Sequence, residues 1–240
     1  TYTYFGRLSA HKYTNIRFFE TQNGDSTQLN CYVMLTKSKH KSISFELEGT
    51  NSAGDLGAAA SVSFQHRNLF RGSETFMVKF RGAYEAISGL QPGYKNHNYT
   101  EYGVETSINF PNFLFPFLTS DFKRRIKATT EFGLQYNYQL RPEFSRTIAS
   151  ASWSYKWMQK QKIQHRIDLL DISYLYLPWI SSQFQEDYIN KDKDNYILKY
   201  NYENRLIVRM GYNYSYNSAG GALVNNTITT NSCLLYTSDA

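Results

Sequence analysis

Three side chains that could perform acid–base chemistry lie in the segment QHRIDLLDIS: His165, Asp168 and Asp171. A histidine with two carboxylates is the kind of set that general acid–base catalysis uses. In a β-strand, however, residues 165 and 171 share one face and residue 168 points to the other, so the three would not form one compact group. The chain also has no GxSxG motif and no metal-ligand spacing. The sequence therefore predicts that the chain is not an enzyme.

Cofactors, metals and nucleic acids are also not expected. The two cysteines, Cys31 and Cys233, are too few for a disulfide framework and lack the spacing of a zinc site. The net charge is +6 and the sequence pI is about 9.1, but the charged residues are scattered along the chain. Scattered charge gives little support to a nucleic-acid surface, so we expect no nucleic-acid partner.

The dominant pattern from residue 40 onward is an alternation of apolar and polar residues. In SISFELEG, for example, Ile43, Phe45 and Leu47 would face one side of a strand, and the serines and glutamates would face the other. Similar runs begin near residues 58, 75, 101, 126, 144, 162 and 204. The pattern predicts about eight β-strands.

The length of these runs favours strands that cross a membrane. They extend over roughly ten to fourteen residues, whereas strands of soluble proteins usually have about five or six and a tilted membrane crossing needs about 9–11. The chain has 21 Tyr and 16 Phe but a mean hydropathy of only −0.54, as expected for strands with one lipid face and one wet face. A soluble β-sandwich is the alternative. The predicted fold class is all-β, a transmembrane antiparallel β-barrel.

The N-terminal region has a different pattern. Tyr2 to Leu8 is expected to end a short helix, and strands are expected at 12–20 and 28–37, which together suggest part of a small α+β module in residues 1–38. Residues 39–232 would form the barrel. The tail CLLYTSDA, residues 233–240, looks like a translated sequencing adapter and is left out of the fold. No signal peptide opens the chain, which we expect to be an internal fragment of a longer protein.

The connections fall into two sets on opposite sides of the membrane. If the N-terminal module lies on the near side, the turns at 66–73, 111–124 and 158–161 lie there too. The loops at 50–56, 87–99, 139–145 and 177–203 would then lie on the far side, where external loops are long and polar.

Several segments, in this order, resemble a known family. SFELEGTNSAGDLG leads into SVSFQHRNLFRGSE, and SINFPNFLFPF follows at 107–117. Together with the N-terminal module they resemble outer-membrane assembly factors of the BamA/TamA type, in the form found in Bacteroidetes-like bacteria, over about residues 1–217. The resemblance implies a sixteen-stranded barrel with about its first eight strands present. It also implies that residues 1–38 are the last part of a periplasmic POTRA domain.

The same resemblance implies a function in insertion or translocation of other β-proteins at the bacterial outer membrane. The expected partners are the outer-membrane lipid bilayer, unfolded outer-membrane proteins, and periplasmic or lipoprotein accessory subunits. The family branch stays open between the assembly factor, a TamA-like protein and an exporter of lipoproteins or surface proteins. A porin-like or solute-transport barrel is the alternative function.

The first barrel strand is the candidate lateral gate, through which a substrate strand would pair by β-augmentation. Small residues at Gly49, Gly54 and Gly57 and at 58–60 would make this edge pliable, or would instead allow a closely packed hairpin. The gate residues are Ser42, Ile43, Ser44, Phe45, Glu46, Leu47, Glu48 and Gly49.

Two near-side turns are further candidates. In the first, we expect Arg67 and Arg71 to pair with acidic groups of the module or a partner, Leu69 and Phe70 to pack beneath the barrel, and Gly72 to permit the return of the chain. An ordinary turn with solvated arginines is the alternative. The first motif comprises Arg67, Asn68, Leu69, Phe70, Arg71 and Gly72, and the second comprises Pro111, Phe113 and Pro116.

Overall fold

The computed structural model describes residues 8–23, 26–52, 55–87, 98–159, 162–189, 202–217 and 227–239. These residues form eleven strands, two short helices and one π-helical turn at Gln185–Ile189. The strands are β1 His11–Asn23, β2 Ser26–Lys37, β3 Lys41–Ser52, β4 Asp55–Arg67, β5 Thr75–Ala86, β6 Asn98–Phe110, β7 Thr129–Leu140, β8 Phe144–Gln159, β9 Ile163–Ile180, β10 Arg205–Asn217 and β11 Thr227–Asp239. The helices are α1 Ser120–Ile126 and α2 Ser182–Phe184.

The strands belong to two antiparallel sheets. β1 and β2 form a separate hairpin, and β3 to β11 form a nine-stranded meander in which each strand pairs with the next along the chain. The predicted antiparallel β organisation is confirmed. We call the strand ends joined by 68–74 and 111–128 the near rim, and the opposite ends the far rim. β3 and β11 are the lateral edges of the sheet.

The meander has one strand more than the eight expected. β11 begins at Thr227 and pairs with β10 in uninterrupted register from Thr227 opposite Asn217 to Asp239 opposite Arg205. Residues 233–239 are thus part of this strand, and the interpretation of residues 233–240 as an adapter-derived tail stays a prediction. Continuous backbone pairing with β10 extends the strand through this segment.

One face of the meander is apolar and exposed. Residues directly opposite each other across five strands form the row Val78, Thr106, Leu134, Ala151 and Ile172. The exposed fraction of Leu134 is 62%, although the residue lies in the middle of its strand. The apolar sides of these strands are thus aligned, but nothing in the described part of the chain covers Leu134 as a second layer would.

The opposite face is polar and internally bonded. Ser150 and Ser173 lie opposite each other on β8 and β9, and the Ser150 hydroxyl donates to the Ser173 hydroxyl over 3.0 Å. Lys156 forms an ion pair with Glu131 across β7 and β8. The alternation predicted from the sequence is confirmed, and it assigns apolar and polar side chains to opposite faces of one sheet.

The usual hydrophobic core of a soluble domain is lacking among the described residues. The described residues include six buried hydrophobic side chains, and three of these are alanines: Ala10, Ala59, Ala128, Tyr155, Leu175 and Phe184. In a soluble protein of this size the large apolar residues would be the buried ones. No described helix combines the length and the apolar character needed to cross a membrane.

The N-terminal hairpin has the expected strands, but the expected helix is not tested. β1 and β2 pair along their lengths from His11 opposite Lys37 to Asn23 opposite Ser26. Phe18, Phe19 and Leu29 are at least half exposed. Residues 1–7 lie outside the described residues, so the α+β module stays a prediction.

The second near-rim connection contains a helix where the alternation predicts only a turn and the start of a strand. α1 occupies Ser120–Ile126, and Lys127 ends it in the left-handed conformation with φ of 52°. The expected strand from residue 126 therefore begins only at Thr129. Asp121 in the first turn and basic residues in the last turn suit the helix dipole, and this signal was present in TSDFKRRIK.

Candidate functional site

The candidate gate strand, β3, is a lateral edge of the sheet in the described part of the chain. The backbone N–H of Arg67 donates to the carbonyl of His40 over 2.6 Å, and the register between β3 and β4 has no shift. Since hydrogen-bonded and non-hydrogen-bonded pairs alternate, even-numbered residues of β3 bond to β4. The backbone groups of odd-numbered residues therefore point toward the open edge.

These odd-numbered residues also carry the apolar side chains of β3. Ile43, Phe45 and Leu47 are 62%, 75% and 87% exposed. Each combines an exposed apolar side chain on one face with a backbone donor and acceptor directed sideways. An edge of this kind is a template for pairing with another strand.

Ion pairs tie β3 to β5 across the strand between them. Lys79 Nζ lies 2.8 Å from Glu46 Oε2, and Arg81 lies 3.0 Å from Glu48 Oε2. On β4, the strand crossed by both ion pairs, Ser61 is small and donates to Glu46 over 2.9 Å. Small residues on this side of β4 thus leave room for long side chains to cross.

The glycines of the β3–β4 hairpin have different environments. A side chain at Gly49 would meet nothing within 4 Å, whereas one at Gly57 would lie 3.0 Å from the carbonyl oxygen of Tyr84. Gly54 lies outside the described residues. The packed-hairpin alternative therefore accounts for Gly57, and the pliability proposed for Gly49 stays a prediction.

The first near-rim turn is organised around the buried carboxylate of Glu74. This carboxylate accepts the N–H groups of Phe70 and Gly72 over 3.1 and 3.0 Å. Asn68 Oδ1 accepts the N–H of Ser73 over 3.0 Å. A side chain at Gly72 would collide with Glu74, so close approach explains this glycine.

The other expectations for this turn concern contacts with a module or a partner, and they stay predictions. Leu69 and Phe70 are 37% and 65% exposed, because the hydrogen bonds to Glu74 turn the backbone inward and leave these side chains at the tip. Arg67 and Arg71 form no ion pair with any described acidic residue. Positive φ values also occur at Asn68, Arg71 and Ser73.

The turn nevertheless contacts both stems of the N-terminal hairpin. Ser9, just before β1, donates to the carbonyl of Ser73 over 2.7 Å. Arg67 lies 3.4 Å from the hydroxyl of Ser38, just after β2. The turn therefore lies beside the two residues that flank the N-terminal hairpin, and the module to which this hairpin would belong stays a prediction.

The second near-rim turn folds onto β7 and β8. The Phe113 ring meets the Tyr155 ring edge-on, with centroids 4.7 Å apart, and Tyr155 donates its hydroxyl to the carbonyl of Leu114 over 2.9 Å. Fully buried Thr130 accepts the N–H of Leu114 and donates to the carbonyl of Asn112, both over 2.9 Å. Ring packing and buried hydrogen bonds therefore hold this turn against β7 and β8, whereas few apolar side chains are buried elsewhere in the described part of the sheet.

The two prolines of this motif have different surroundings. Pro111 is half-buried and lines a cavity beside α1, whereas Pro116 is exposed. Of the three residues predicted for this turn, Phe113 makes the closest packing contact described for the motif. No sequence pattern indicates its partner Tyr155, which is 42 positions away and meets it only through the pairing of strands.

Aromatic side chains cluster on the apolar face, close to the strand ends that form the near rim. The ring pairs Phe110–Phe132 and Phe132–Trp153 have centroid distances of 6.1 and 5.5 Å. Trp157 stacks on His165 at 4.8 Å, and His165 Nδ1 lies 2.8 Å from the hydroxyl of Tyr212. These aromatic contacts extend along the rim from β6 to β10.

The expected arrangement of His165, Asp168 and Asp171 is wrong. β9 has one extra residue between Asp168 and Asp171 relative to its neighbours, a β-bulge that reverses the alternation. Both aspartates therefore lie on the polar face, where Arg166 and Arg209 pair with them at 2.7 and 2.9 Å. His165 lies among aromatic rings on the other face, so the three still form no compact group.

No family model, curated protein or solved structure matches this chain. The family resemblance of the three segments and its functional implications therefore remain predictions. No group of three or more potential metal ligands occurs within the described ranges.

Proposed function

We propose that the chain is part of an outer-membrane β-barrel that inserts or translocates other β-proteins. The observation that carries the membrane part of this proposal is that the meander exposes large apolar side chains that a soluble domain would bury. Its apolar face is exposed at mid-strand residues such as Leu134, and its ion pairs occupy the other face. A barrel in a bilayer needs this arrangement, with lipid outside and water inside.

The dimensions and the aromatic rim agree with a bilayer. β3 to β11 each have 12 to 18 residues, enough to cross the hydrocarbon region at a tilt. Trp157 and Tyr212 lie at the end of the apolar face, where aromatic side chains sit in the interface of outer-membrane barrels.

The open edge of β3 supports the insertion part of the proposal. In hydrocarbon, each unpaired backbone group costs several kcal/mol, so an edge strand at membrane depth requires a partner strand. At rest, a closing strand of the barrel would form hydrogen bonds with the unpaired backbone groups of Ile43, Phe45 and Leu47. A substrate strand that replaced it would make the same hydrogen bonds, which is β-augmentation.

The near rim would then be periplasmic. The turn at 68–74 contacts Ser9 and Ser38, which flank the N-terminal hairpin. These contacts support a fixed connection between the barrel and a preceding module, which the resemblance implies would be the end of a POTRA domain. Accessory subunits and unfolded substrates would approach from this side.

A porin-like barrel is the second candidate. The observation that favours it is the charged polar face, where Lys79, Arg81 and Arg209 each pair with a carboxylate and would line a wet lumen. Ion conductance without any effect on the folding of other barrels would support this candidate.

The edge of β3 provides the test that separates the two candidates. Phe45→Pro removes an edge-directed N–H without removing a hydrogen bond to β4, and proline is tolerated at strand edges. Phe45→Ala removes the same side chain but keeps the N–H. We would reconstitute both variants in vesicles and follow the folding of a second outer-membrane protein by its protease protection.

The proposal predicts that Phe45→Ala retains most of the acceleration of folding and Phe45→Pro loses it. Equal acceleration by the unmodified chain and Phe45→Pro would contradict pairing at this edge. No acceleration by the unmodified chain, together with measurable conductance, would favour the porin-like candidate.

A further inference from the structure

A cavity of about 480 Å³ lies at the near rim between α1, the turn at 111–119 and the segment before β1. This volume falls within the range of roughly 300–1,000 Å³ that small-molecule sites occupy. The cavity is not part of the open edge or of the ion pairs described above. Its lining residues are Leu8, Pro111, Asn112, Phe113, Lys123, Arg124, Lys127 and Ala128.

The lining has two chemical parts. Leu8, Pro111, Phe113 and Ala128 provide an apolar wall, and Ala128 is almost completely buried. Lys123 and Arg124 are on α1 and form no ion pair with a described acidic residue. An apolar wall beside uncompensated positive charge fits a ligand with an apolar part and an anionic part.

The surroundings of the cavity indicate where such a ligand would come from. Phe117 and Phe122, on the turn and on α1, are 86% and 43% exposed, and Leu114 is 42% exposed. These apolar side chains continue the aromatic rim toward the basic residues of α1. If the apolar face lies in a bilayer, the cavity lies at the level of the lipid headgroups, and this step rests on the proposed function.

We propose that this cavity binds an anionic phospholipid. Lys123 and Arg124 would bind the phosphate, with the guanidinium of Arg124 able to donate two hydrogen bonds to its oxygens. The glycerol and the first methylene groups would lie against Phe113 and Leu8. Free inorganic phosphate shares the anionic chemistry but lacks the apolar part, so it would bind more weakly.

The test uses the full chain refolded in a neutral detergent, which makes the measurement independent of membrane insertion. Equal amounts of phosphatidylglycerol and phosphatidylcholine are added, and the lipid retained by the protein is measured by native mass spectrometry. A second sample contains inorganic phosphate as competitor at the concentration of the lipid. The expected result is retention of phosphatidylglycerol over phosphatidylcholine, with little displacement by phosphate.

The decisive variant is Lys123→Gln with Arg124→Gln. Its matched control, Arg125→Gln with Lys162→Gln, removes the same charge from near-rim residues that do not line the cavity. Two lysine or arginine contacts to anionic lipid correspond to roughly thirtyfold in affinity, so the first variant should lose most of the preference. The control should retain it.

Three outcomes would overturn the proposal: no preference for phosphatidylglycerol, equal loss in both double variants, or complete displacement by inorganic phosphate. If the decisive variant fails to fold, a salt titration of the unmodified chain takes its place, since screening should abolish the preference. Insertion into vesicles is measured separately. A chain that binds this lipid but does not insert would contradict only the membrane proposal.

Discussion

Lys79 on β5 reaches Glu46 on β3 at 2.8 Å, although β4 lies between the two strands. Ser61 on β4 donates to the same carboxylate over 2.9 Å, so one glutamate joins three strands. Besides its backbone pairing with β4, the open edge strand is therefore held by side-chain contacts on its polar side. Its apolar side, with Phe45 and Leu47, has no comparable support among the described residues.

The first prediction concerns this ion pair. Lys79→Met, Glu46→Gln and the double variant are compared by urea unfolding of the refolded chain. The coupling free energy between the two side chains should be small and favourable, because both groups are partly solvated. High salt should abolish the coupling through screening. A large coupling that salt leaves unchanged would contradict the solvated geometry.

The second prediction concerns the turn at 68–74. Glu74→Ala should destabilise the turn by about 1–3 kcal/mol, because it leaves the N–H groups of Phe70 and Gly72 without their acceptor. Hydrogen exchange of these two amides should accelerate. Phe70→Ala is the control and should have little effect, because this side chain is 65% exposed. Equal exchange in both variants would contradict the role of Glu74.

The third prediction concerns the turn at 111–119. Thr130→Val removes a fully buried hydroxyl that bonds both Asn112 and Leu114, and it should cost about 1–3 kcal/mol. Thr130→Ser keeps the hydroxyl and should preserve the slow hydrogen exchange of the Leu114 amide. If the serine variant exchanged as fast as the valine variant, the hydroxyl would not be what holds the turn.

The fourth prediction compares two neighbours on opposite faces of β7. Leu134→Lys should destabilise the chain in vesicles by about 2–4 kcal/mol, the cost of a lysine near the middle of a bilayer. Gln135→Lys, on the polar face, should cost much less. Unfolding by guanidinium in vesicles measures both. A soluble sheet would tolerate lysine at Leu134, which is 62% exposed.

The strands and their faces could be predicted from the sequence because a strand has a fixed period of two. Ile43 and Glu46 lie on the faces that alternation alone predicts. The prediction failed at β9, where a single extra residue after Asp168 reverses the alternation. No glycine or proline marks that bulge in the segment RIDLLDIS.

The turns were less predictable because long-range contacts decide them. In the sequence Glu74 is only a charged residue beside the first turn, whereas in the structure it is buried because backbone groups gather around it. Tyr155 anchors the second turn only because strand pairing brings β8 beside Phe113. By contrast, α1 had a readable signal in Asp121 and the basic residues that follow it.

In the proposed function, the apolar face of the meander contacts lipid. Spin labelling tests this contact, with a nitroxide placed at positions 132 to 137 of β7, one at a time, in a Cys31→Ser, Cys233→Ser background reconstituted in vesicles. Collisions with oxygen and with a water-soluble nickel complex are then compared at each position. Contact with lipid predicts an alternation of period two, with oxygen favoured at 134 and the nickel complex favoured at 135. Equal access of the nickel complex to both positions would contradict contact with lipid.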